Sequence, residues 1–353
     1  MSAHSEMPGE AMNTDTLALL RRRDGLFATD LLIVALGKLD LVNWIAARCA
    51  AGPPPDAVTI ASELGLAARP TDVLLALLVA MGLVDRARDG TVRLTPFAKD
   101  CLTRGSPRDL TPYLASLNSR PIHDQILEVL RTDRPFGWAS NPDEREWSHA
   151  MDDPRFAVRF TAAMDSRGAH LAQAMAHALD CTGRRRVLDI AGASGVYACA
   201  IVDAHPGLRA TVMEKPPVDR ITQLILERRG RRGDVEVAAC DMFADPWPPD
   251  HDVHVFSHVL HDWAPGRVRE LLHRSFAAMA PGGLLVVHDA HLDPDGRGPL
   301  AVAEYSVLLM LSTEGKCYSV LEMADMIRET GFRWILHTPT EGDRSIITAI
   351  KPG

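Results

Sequence analysis

The stretch of residues 187–195, V-L-D-I-A-G-A-S-G, constrains the fold of this chain more than any other feature. Residues 187–190 have the pattern of a short buried strand, and Gly192 and Gly195 allow a sharp turn into a following helix. A helix N-terminus in this position presents backbone N–H groups and a positive dipole end to a ligand. Glu214 follows about 20 residues later, where an acidic residue bonds a ribose hydroxyl in such folds. The pattern indicates an adenosine-containing cofactor, although an ordinary strand–helix turn remains the alternative, because only half of the G-x-G-x-x-G dinucleotide fingerprint is present.

Strand and helix patterns alternate after this turn, which predicts a Rossmann-like, doubly wound α/β sheet. The predicted parallel strands are residues 187–190, 210–213, 235–239, 253–257 and 284–288, with residues 332–337 and 345–350 as a closing antiparallel pair. Helices fill the gaps, for instance residues 267–279. Ligands of such sheets bind at the carboxyl ends of the parallel strands. Four polar residues are predicted at that edge: Asp241, His258, His261 and Asp289.

The first part of the chain has a different pattern, mainly helical. Residues 28–48, 59–64 and 69–81 are predicted helices, and residues 83–85 and 91–94 a β-hairpin with a tight Asp89-Gly90 turn, which together predict a winged helix. Residues 73–81 are apolar with no basic face, whereas a DNA-recognition helix needs side chains that reach phosphates and bases. Residues 28–44 and 73–81 carry more apolar surface than one small domain buries, so we predict a homodimer through this domain.

Length and composition agree with a two-part globular protein. The 353 residues are divided into a winged-helix dimerisation domain (1–110), a helical linker (111–180) and a cofactor-binding catalytic domain (181–353). The net charge of −8 argues against a nucleic-acid partner. We expect neither a signal peptide nor a membrane span, since no apolar run reaches ~18 residues. The six cysteines are scattered, which favours reduced thiols and a cytoplasmic location.

Five short motifs occur in a fixed order along the chain: D-I-A-G-A-S-G at 189–195, A-C-D-M-F at 239–243, H-D-W at 261–263, P-G-G at 281–283 and E-G-K at 314–316. With these motifs the chain resembles the class I S-adenosylmethionine-dependent O-methyltransferases of the caffeic acid and acetylserotonin type, in a bacterial version. The resemblance covers residues 29–351 and includes the family's N-terminal dimerisation domain. It implies S-adenosyl-L-methionine as the cofactor.

The resemblance also implies roles for individual residues. Asp189, Gly192 and Gly195 shape the methionine end of the cofactor site, Glu214 holds the ribose, and Asp241 and Met242 flank the adenine. The full set of implied cofactor-binding residues is Asp189, Gly192, Gly195, Glu214, Asp241, Met242, Phe243, Ser257 and Trp263. His261 falls on the family's catalytic base, with Asp262 beside it, and Asp289 stands where the family has a glutamate against the base.

The chemistry of methyl transfer explains these residue types. Transfer from a sulfonium is an in-line displacement, so positioning supplies most of the acceleration. A phenol with a pKa of ~10 costs about 4 kcal/mol to ionise at pH 7, and a neutral imidazole can take that proton as attack begins. We therefore predict methylation of a hydroxyl on a small aromatic acceptor. The residues predicted to line the acceptor pocket are Trp147, Met151, Phe160, Met164, His258, Met310 and Cys317. For the aromatic and methionine residues of the linker, core packing is the alternative.

Three departures from the family pattern leave alternatives open. Cys317 replaces a second glutamate near the base, Ser257 replaces a lysine, and Ala191 and Ala193 replace glycines of the cofactor turn; we expect only Cys317 to matter. The acceptor atom could therefore be a carbon, either of an aromatic ring or beside a 2-oxo acid, and some relatives that methylate the latter use a metal. Residues that could supply metal ligands are His258, His261, His288, Asp289 and His291. We predict no metal, because His258 and His261 share a face only where the strand has already become a helix. A relative that binds the cofactor without methyl transfer is a further alternative.

Overall fold

The computed structural model describes residues 12–137, 147–231 and 233–353. Within these residues the chain forms two compact units. The sheet unit comprises Met1–Leu20, described from residue 12, with Ser148–His291 and Val320–Gly353. The helical unit comprises Arg21–Trp147 and Leu292–Ser319. The segment 292–319 therefore folds with the first part of the chain, which the predicted division at residues 110 and 180 did not anticipate.

The helices of the described chain, in order, are α1 Thr14–Asp24, α2 Ala28–Ile33, α3 Leu41–Ala51, α4 Ala57–Leu64, α5 Ala68–Ala80, α6 Pro96–Cys101, α7 Thr111–Ala115, α8 Pro121–Thr132, α9 Trp147–Ala150, α10 Pro154–His177, α11 Val196–Ala204, α12 Val218–Arg228, α13 Pro265–Ala278, α14 Leu300–Ser312 and α15 Val320–Thr330. The strands are β1 Val84–Arg86, β2 Val92–Leu94, β3 Arg186–Ile190, β4 Arg209–Glu214, β5 Val235–Ala239, β6 Val253–Ser257, β7 Leu284–Asp289, β8 Arg333–Pro339 and β9 Ser345–Ile350. Each predicted strand is present, with ends that differ by at most two residues.

The sheet unit is built on a seven-stranded mixed sheet with the order β5-β4-β3-β6-β7-β9-β8. Strands β3 to β7 pair in parallel, and β9 is antiparallel to both β7 and β8. Strands β6 and β7 are buried along their whole length, as expected where both faces of a parallel sheet are covered. The order reverses between β3 and β6, and this is the edge at which α/β folds bind ligands.

The helical unit contains the antiparallel β1–β2 pair, with Val84 opposite Leu94. Helix α14 packs on α5 in this unit. Arg69 of α5 fixes the end of α14, since its guanidinium donates to the carbonyls of Met310 (3.2 Å), Thr313 (3.2 Å) and Gly315 (2.6 Å). The apolar residues of α5 from Val73 to Leu78 are buried within one chain, so these six residues are not the exposed dimer surface that the sequence suggested.

One predicted helix is wrong. Residues 28–48 form α2, a π-helical turn over Val34–Lys38 and then α3. The break lies at Asp40, whose φ of 49° is left-handed. Its carboxylate accepts hydrogen bonds from Asn43 (2.6 Å) and Arg104 (3.0 Å), which stabilise the turn. The predicted two-residue turn is also longer than expected, because residues 87–91 separate β1 from β2. Among the described helices none is long and apolar enough to span a membrane.

Candidate active site

The turn after β3 wraps around two buried carboxylates. The N–H of Ala191 donates to the carbonyl of Met213 (2.8 Å), and the N–H of Ala193 donates to Oε1 of Glu214 (2.8 Å). A Cβ on Gly192 would lie 2.3 Å from Oδ2 of Asp189, so only glycine fits beside this carboxylate. Gly195 begins α11 with a φ of 72°. The glycine that the sequence places at residue 192 is therefore required, because the backbone there lies close to the Asp189 carboxylate.

Burial raises the pKa of both carboxylates, to about 7 for Asp189 and about 7 for Glu214. Neither oxygen of Asp189 has a hydrogen-bond partner among the described residues. Buried polar groups are almost always hydrogen-bonded, and an unsatisfied one costs free energy. The pair therefore suits a ligand that brings hydroxyl or ammonium donors to this turn, as the ribose and amino-acid ends of S-adenosylmethionine would.

A second group of predicted cofactor residues follows β5 and β6. Oδ1 of Asp241 accepts from the N–H of Phe243 (2.8 Å) and holds this loop. The Phe243 ring meets Trp263 edge-on at 4.7 Å, and the guanidinium of Arg267 lies 3.6 Å from the Phe243 ring centre. The other members are Met242, which is half-buried, and Ser257, which is buried and whose hydroxyl has no partner within the described part of the chain. An ordered aromatic surface beside carboxylates is suited to a purine ring.

His261 and Asp289 form a buried pair at the carboxyl ends of β6 and β7. His258, with a φ of 56°, turns the chain out of β6 into a short 3-10 helix over Leu260–Asp262. Nδ1 of His261 hydrogen-bonds to Oδ1 of Asp289. Burial alone would raise the pKa of Asp289, but its electrostatic attraction to His261 and the hydrogen bond with it, helped by His291 and the N–H of Ala290, outweigh burial and lower this pKa to about 2. Asp289 therefore stays ionised and fixes the orientation of the His261 ring.

The remaining catalytic candidate is Asp262. Its Oδ1 lies 3.6 Å from Nε2 of His261, on the opposite side of the ring from Asp289. Burial raises the pKa of Asp262 to about 7. Nε2 of His261 thus faces a carboxyl group whose charge changes near neutral pH.

Further histidines surround this pair. His258 and His288 lie 5.0 Å apart between ring centres, and Tyr197 lies 6.0 Å from His258 and 5.3 Å from His288. Burial lowers the pKa of His288 to about 3 and that of His291 to about 4, and it lowers the pKa of His258 well below the usual range. These imidazoles are therefore neutral at pH 7. One ligand atom each from His258, His261 and Asp289 lies within 4.8 Å of the others, a spacing open to a metal ion.

The predicted acceptor residues fall in both units, and their role stays a prediction. Met151, Phe160 and Met164 are half-buried in the sheet unit, where Phe160 stacks on Phe156 at 5.6 Å. Met310 and Cys317 are fully buried in the helical unit. The N–H of Cys317 donates to the hydroxyl of Ser306 (3.1 Å). Trp147 begins α9, and its side chain lies outside the description.

Three residues near the histidines were not predicted. Arg167 of α10 and Arg344 before β9 contribute, after burial, to the lowered pKa of His258, and Tyr197 contacts it. Tyr197 could have been found, since it lies two residues after Gly195 in the helix that opens the cofactor turn. The two arginines occur in no recognisable motif.

The sheet order, the carboxylates at the ends of β3 and β4 and the His261–Asp289 pair define a class I, S-adenosylmethionine-dependent methyltransferase. Residues 122–333 match the family of the O-methyltransferase domain, and the chain belongs to that family. It is an O-methyltransferase, and S-adenosylmethionine is its methyl donor.

Relatives of established name span almost the whole chain. The chain is similar to the 3-hydroxy-5-methyl-1-naphthoate 3-O-methyltransferase of Streptomyces sahachiroi, at 29% identity over 93% of each protein. An O-methyltransferase family 2 protein from Planctomyces limnophilus, solved in complex with apigenin, matches with a TM-score of 0.83 and 28% identity over 98% of each chain. The structure of PigF with SAH matches with a TM-score of 0.60 and 26% identity, over 96% of this chain and all of that one.

Proposed function

We propose that this protein transfers a methyl group from S-adenosylmethionine to a hydroxyl of a small aromatic acceptor, with His261 as the general base. The observation that carries the proposal is the buried hydrogen bond between His261 Nδ1 and the ionised Asp289. A base whose second nitrogen is held by a carboxylate keeps one tautomer and one orientation. This leaves Nε2 of His261 as the atom that takes the acceptor proton.

His261, Asp289 and Asp262 have different roles in the proposed reaction. Bound S-adenosylmethionine supplies an electrophilic methyl group on a positively charged sulfur. His261 Nε2 takes the proton from the acceptor hydroxyl as its oxygen bonds the methyl carbon, and the carbon–sulfur electron pair stays on sulfur. Asp289 stabilises the imidazolium that forms. Asp262, 3.6 Å from Nε2, adds to that stabilisation when it is ionised.

The proposed cofactor site uses the two carboxylates of the turn. The unpartnered oxygens of Asp189 receive donors from the methionine end, and Glu214 receives the ribose hydroxyls. Gly192 and Gly195 leave room for the backbone approach, while Asp241, Met242, Phe243, Ser257 and Trp263 surround the adenine. The similarity to PigF, whose structure was solved with SAH, supports a cofactor of this kind.

The acceptor class rests on the relatives. The proteins to which this chain is similar are named for a hydroxylated naphthoate and for the tetracenomycin polyketide, and one structural relative was solved with apigenin. The first name describes a hydroxylated aromatic acid, and the second describes an O-methyltransferase of polyketide synthesis. We therefore propose a natural-product acceptor of this kind, bound with the help of His258, Met151, Phe160 and Met164 of the sheet unit.

We further propose that the helical unit contains a winged helix and holds a homodimer. The hairpin of β1 and β2 after α4 and α5 supports the winged helix. We also place the protein in the cytoplasm, since every cysteine is free. The net charge of −8 still argues against a nucleic-acid role.

The base assignment is tested by replacing His261. His261→Ala should lower turnover on a neutral phenol by about 10²–10⁴-fold, with S-adenosylmethionine affinity nearly unchanged, because only proton transfer is lost. Asp289→Asn should lower turnover less, because the imidazole remains but is misoriented. The measurements are steady-state kinetics and calorimetric titration of the cofactor.

The matched control is chemical. A phenol made acidic by ring substitution, and so ionised at the assay pH, needs no base, and the His261→Ala deficit should largely disappear for it. A deficit equal for neutral and ionised phenols would contradict the base role, as would a His261→Ala enzyme with full activity on the neutral phenol.

A further inference from the structure

We propose that His258, His261 and Asp289 form a binding site for a divalent transition-metal ion such as Zn²⁺. The sequence argued against a metal because His258 and His261 share a face only if the strand has already ended. In the structure β6 ends at Ser257, and the 3-10 turn over Leu260–Asp262 brings the two histidines together. Both histidines therefore lie beyond the end of the strand, which is the condition for them to bind the same ion.

The ligand atoms have nearly the spacing that one ion requires. Nitrogen and oxygen ligands lie about 2.1 Å from Zn²⁺, so two of them are at most about 4.2 Å apart. The three residues offer atoms within 4.8 Å of one another, and Nδ1 of His258 is 3.6 Å from Oδ1 of Asp289. Coordination of one ion requires that every pair of these atoms come within that limit when the ion binds. Two imidazoles and one carboxylate are a donor set that suits Zn²⁺, Co²⁺, Ni²⁺ and Fe²⁺.

The state of His258 is an independent observation. Its side chain is 2% exposed, and neither ring nitrogen has a hydrogen-bond partner among the described residues. The left-handed backbone of His258, with a φ of 56°, is strained for a residue with a Cβ, and such strain concentrates at functional sites. A buried imidazole held in this way can offer a ring nitrogen to an ion, and Asp289 supplies a negative charge beside it.

The proposed ion competes with the proposed base. An ion bound through Nδ1 of His261 and Oδ1 of Asp289 replaces the hydrogen bond between these two atoms, so the contact that orients the base is lost. Zn²⁺ should therefore inhibit methylation of a neutral phenol. This consequence rests on the proposed function, whereas metal binding itself does not.

Binding is tested with Co²⁺, whose visible absorption reports nitrogen and oxygen ligands. The full-length protein, freed of metal with a chelator and dialysed, should bind one Co²⁺ per chain with a visible band that Zn²⁺ abolishes. His258→Gln should weaken binding by about 10-fold or more, since even residues behind metal ligands contribute that much. The matched control is His273→Gln. His273 lies on α13, is exposed, and belongs to neither proposed site.

The outcomes separate the two proposals. Thermal unfolding of each variant shows whether it is folded, and Asp289→Asn provides a second ligand variant. A wild-type protein without a visible band, or an identical band in a folded His258→Gln protein, would overturn the metal site whatever the activity. A band that depends on His258, with no inhibition by Zn²⁺, would keep the metal site and count against His261 as the base.

Discussion

Asp189 has a buried carboxyl group whose protonation is linked to folding. Burial raises its pKa from 3.8 to about 7, so between these values the folded protein holds a proton that the unfolded chain has lost. The free energy of unfolding therefore falls as the pH rises from about 4 to 7, by at most about 4 kcal/mol for three pKa units. Glu214 acts in the same direction, since burial also raises its pKa to about 7.

Asp189→Asn should reduce this dependence on pH. The variant should be more stable than the wild type at pH 8, where the wild type buries an unpartnered charge, and the difference should shrink towards pH 5. Urea unfolding at several pH values measures it. The control is Asp250→Asn, at an exposed position with a φ of 63° that asparagine tolerates. Equal pH dependence in the wild type and Asp189→Asn would contradict the prediction.

Much of the site could be predicted because its residues follow strand ends. Asp189, Glu214, His261 and Asp289 each lie at or just after a predicted strand, so their positions follow from sheet topology. The placement of His258 depends on a single left-handed residue, which no local pattern signals in a histidine. Arg167 and Arg344 reach the histidines through tertiary folding alone.

Helices α10 and α11 pack closely through one glycine. A Cβ on Gly168 would lie 2.3 Å from Cγ1 of Val196, the first residue of α11. Gly168→Ala should destabilise the protein by about 1–3 kcal/mol, because overpacking forces backbone shifts. The shift would reach the cofactor turn, so S-adenosylmethionine affinity should fall as well. Urea unfolding and calorimetric titration measure the two effects.

Gly266 of α13 is the matched control, since a Cβ there meets nothing within 4 Å. Gly266→Ala should leave cofactor affinity unchanged and should stabilise the helix by up to about 1 kcal/mol, because alanine is the better helix former. Similar losses of stability in both variants would show that close packing of α10 on α11 is not what requires glycine at residue 168.

At the scale of elements, the sheet could be predicted and the first helices could not. Short apolar runs bounded by turn residues identify parallel strands, whatever packs against them. The apolar pattern of residues 28–48 continues through the break, and only Gly37 and Asp40 mark it. A Cβ on Gly37 would lie 2.8 Å from Nδ2 of Asn118, a contact from a distant segment. Such contacts decide helix breaks and leave no periodic signal.

At the scale of the whole molecule, the predicted homodimer must form through a surface other than α5. The apolar side chains of α5 pack within the chain, but Phe97, Tyr113 and Val58 of the helical unit are 55%, 78% and 75% exposed. Light scattering at micromolar concentration should give the mass of a dimer, and Phe97→Glu with Tyr113→Glu should shift it to the monomer. A charge in an apolar interface costs free energy unless it is paired.

The control for the dimer is Leu336→Glu, an apolar residue of the sheet unit that is 61% exposed. This variant should keep the dimer mass. A monomeric wild type, or dissociation by Leu336→Glu alone, would contradict an interface in the helical unit.

The position of β9 has a consequence for synthesis on the ribosome. Strand β9 lies between β7 and β8, yet it leaves the exit tunnel after every other strand of the described chain. Until then β7 has an open edge, and β8 has no partner in the sheet. A nascent chain stalled near residue 340 therefore exposes unpaired backbone next to Asp289, so it should recruit chaperones strongly and should lack the ordered His261–Asp289 pair.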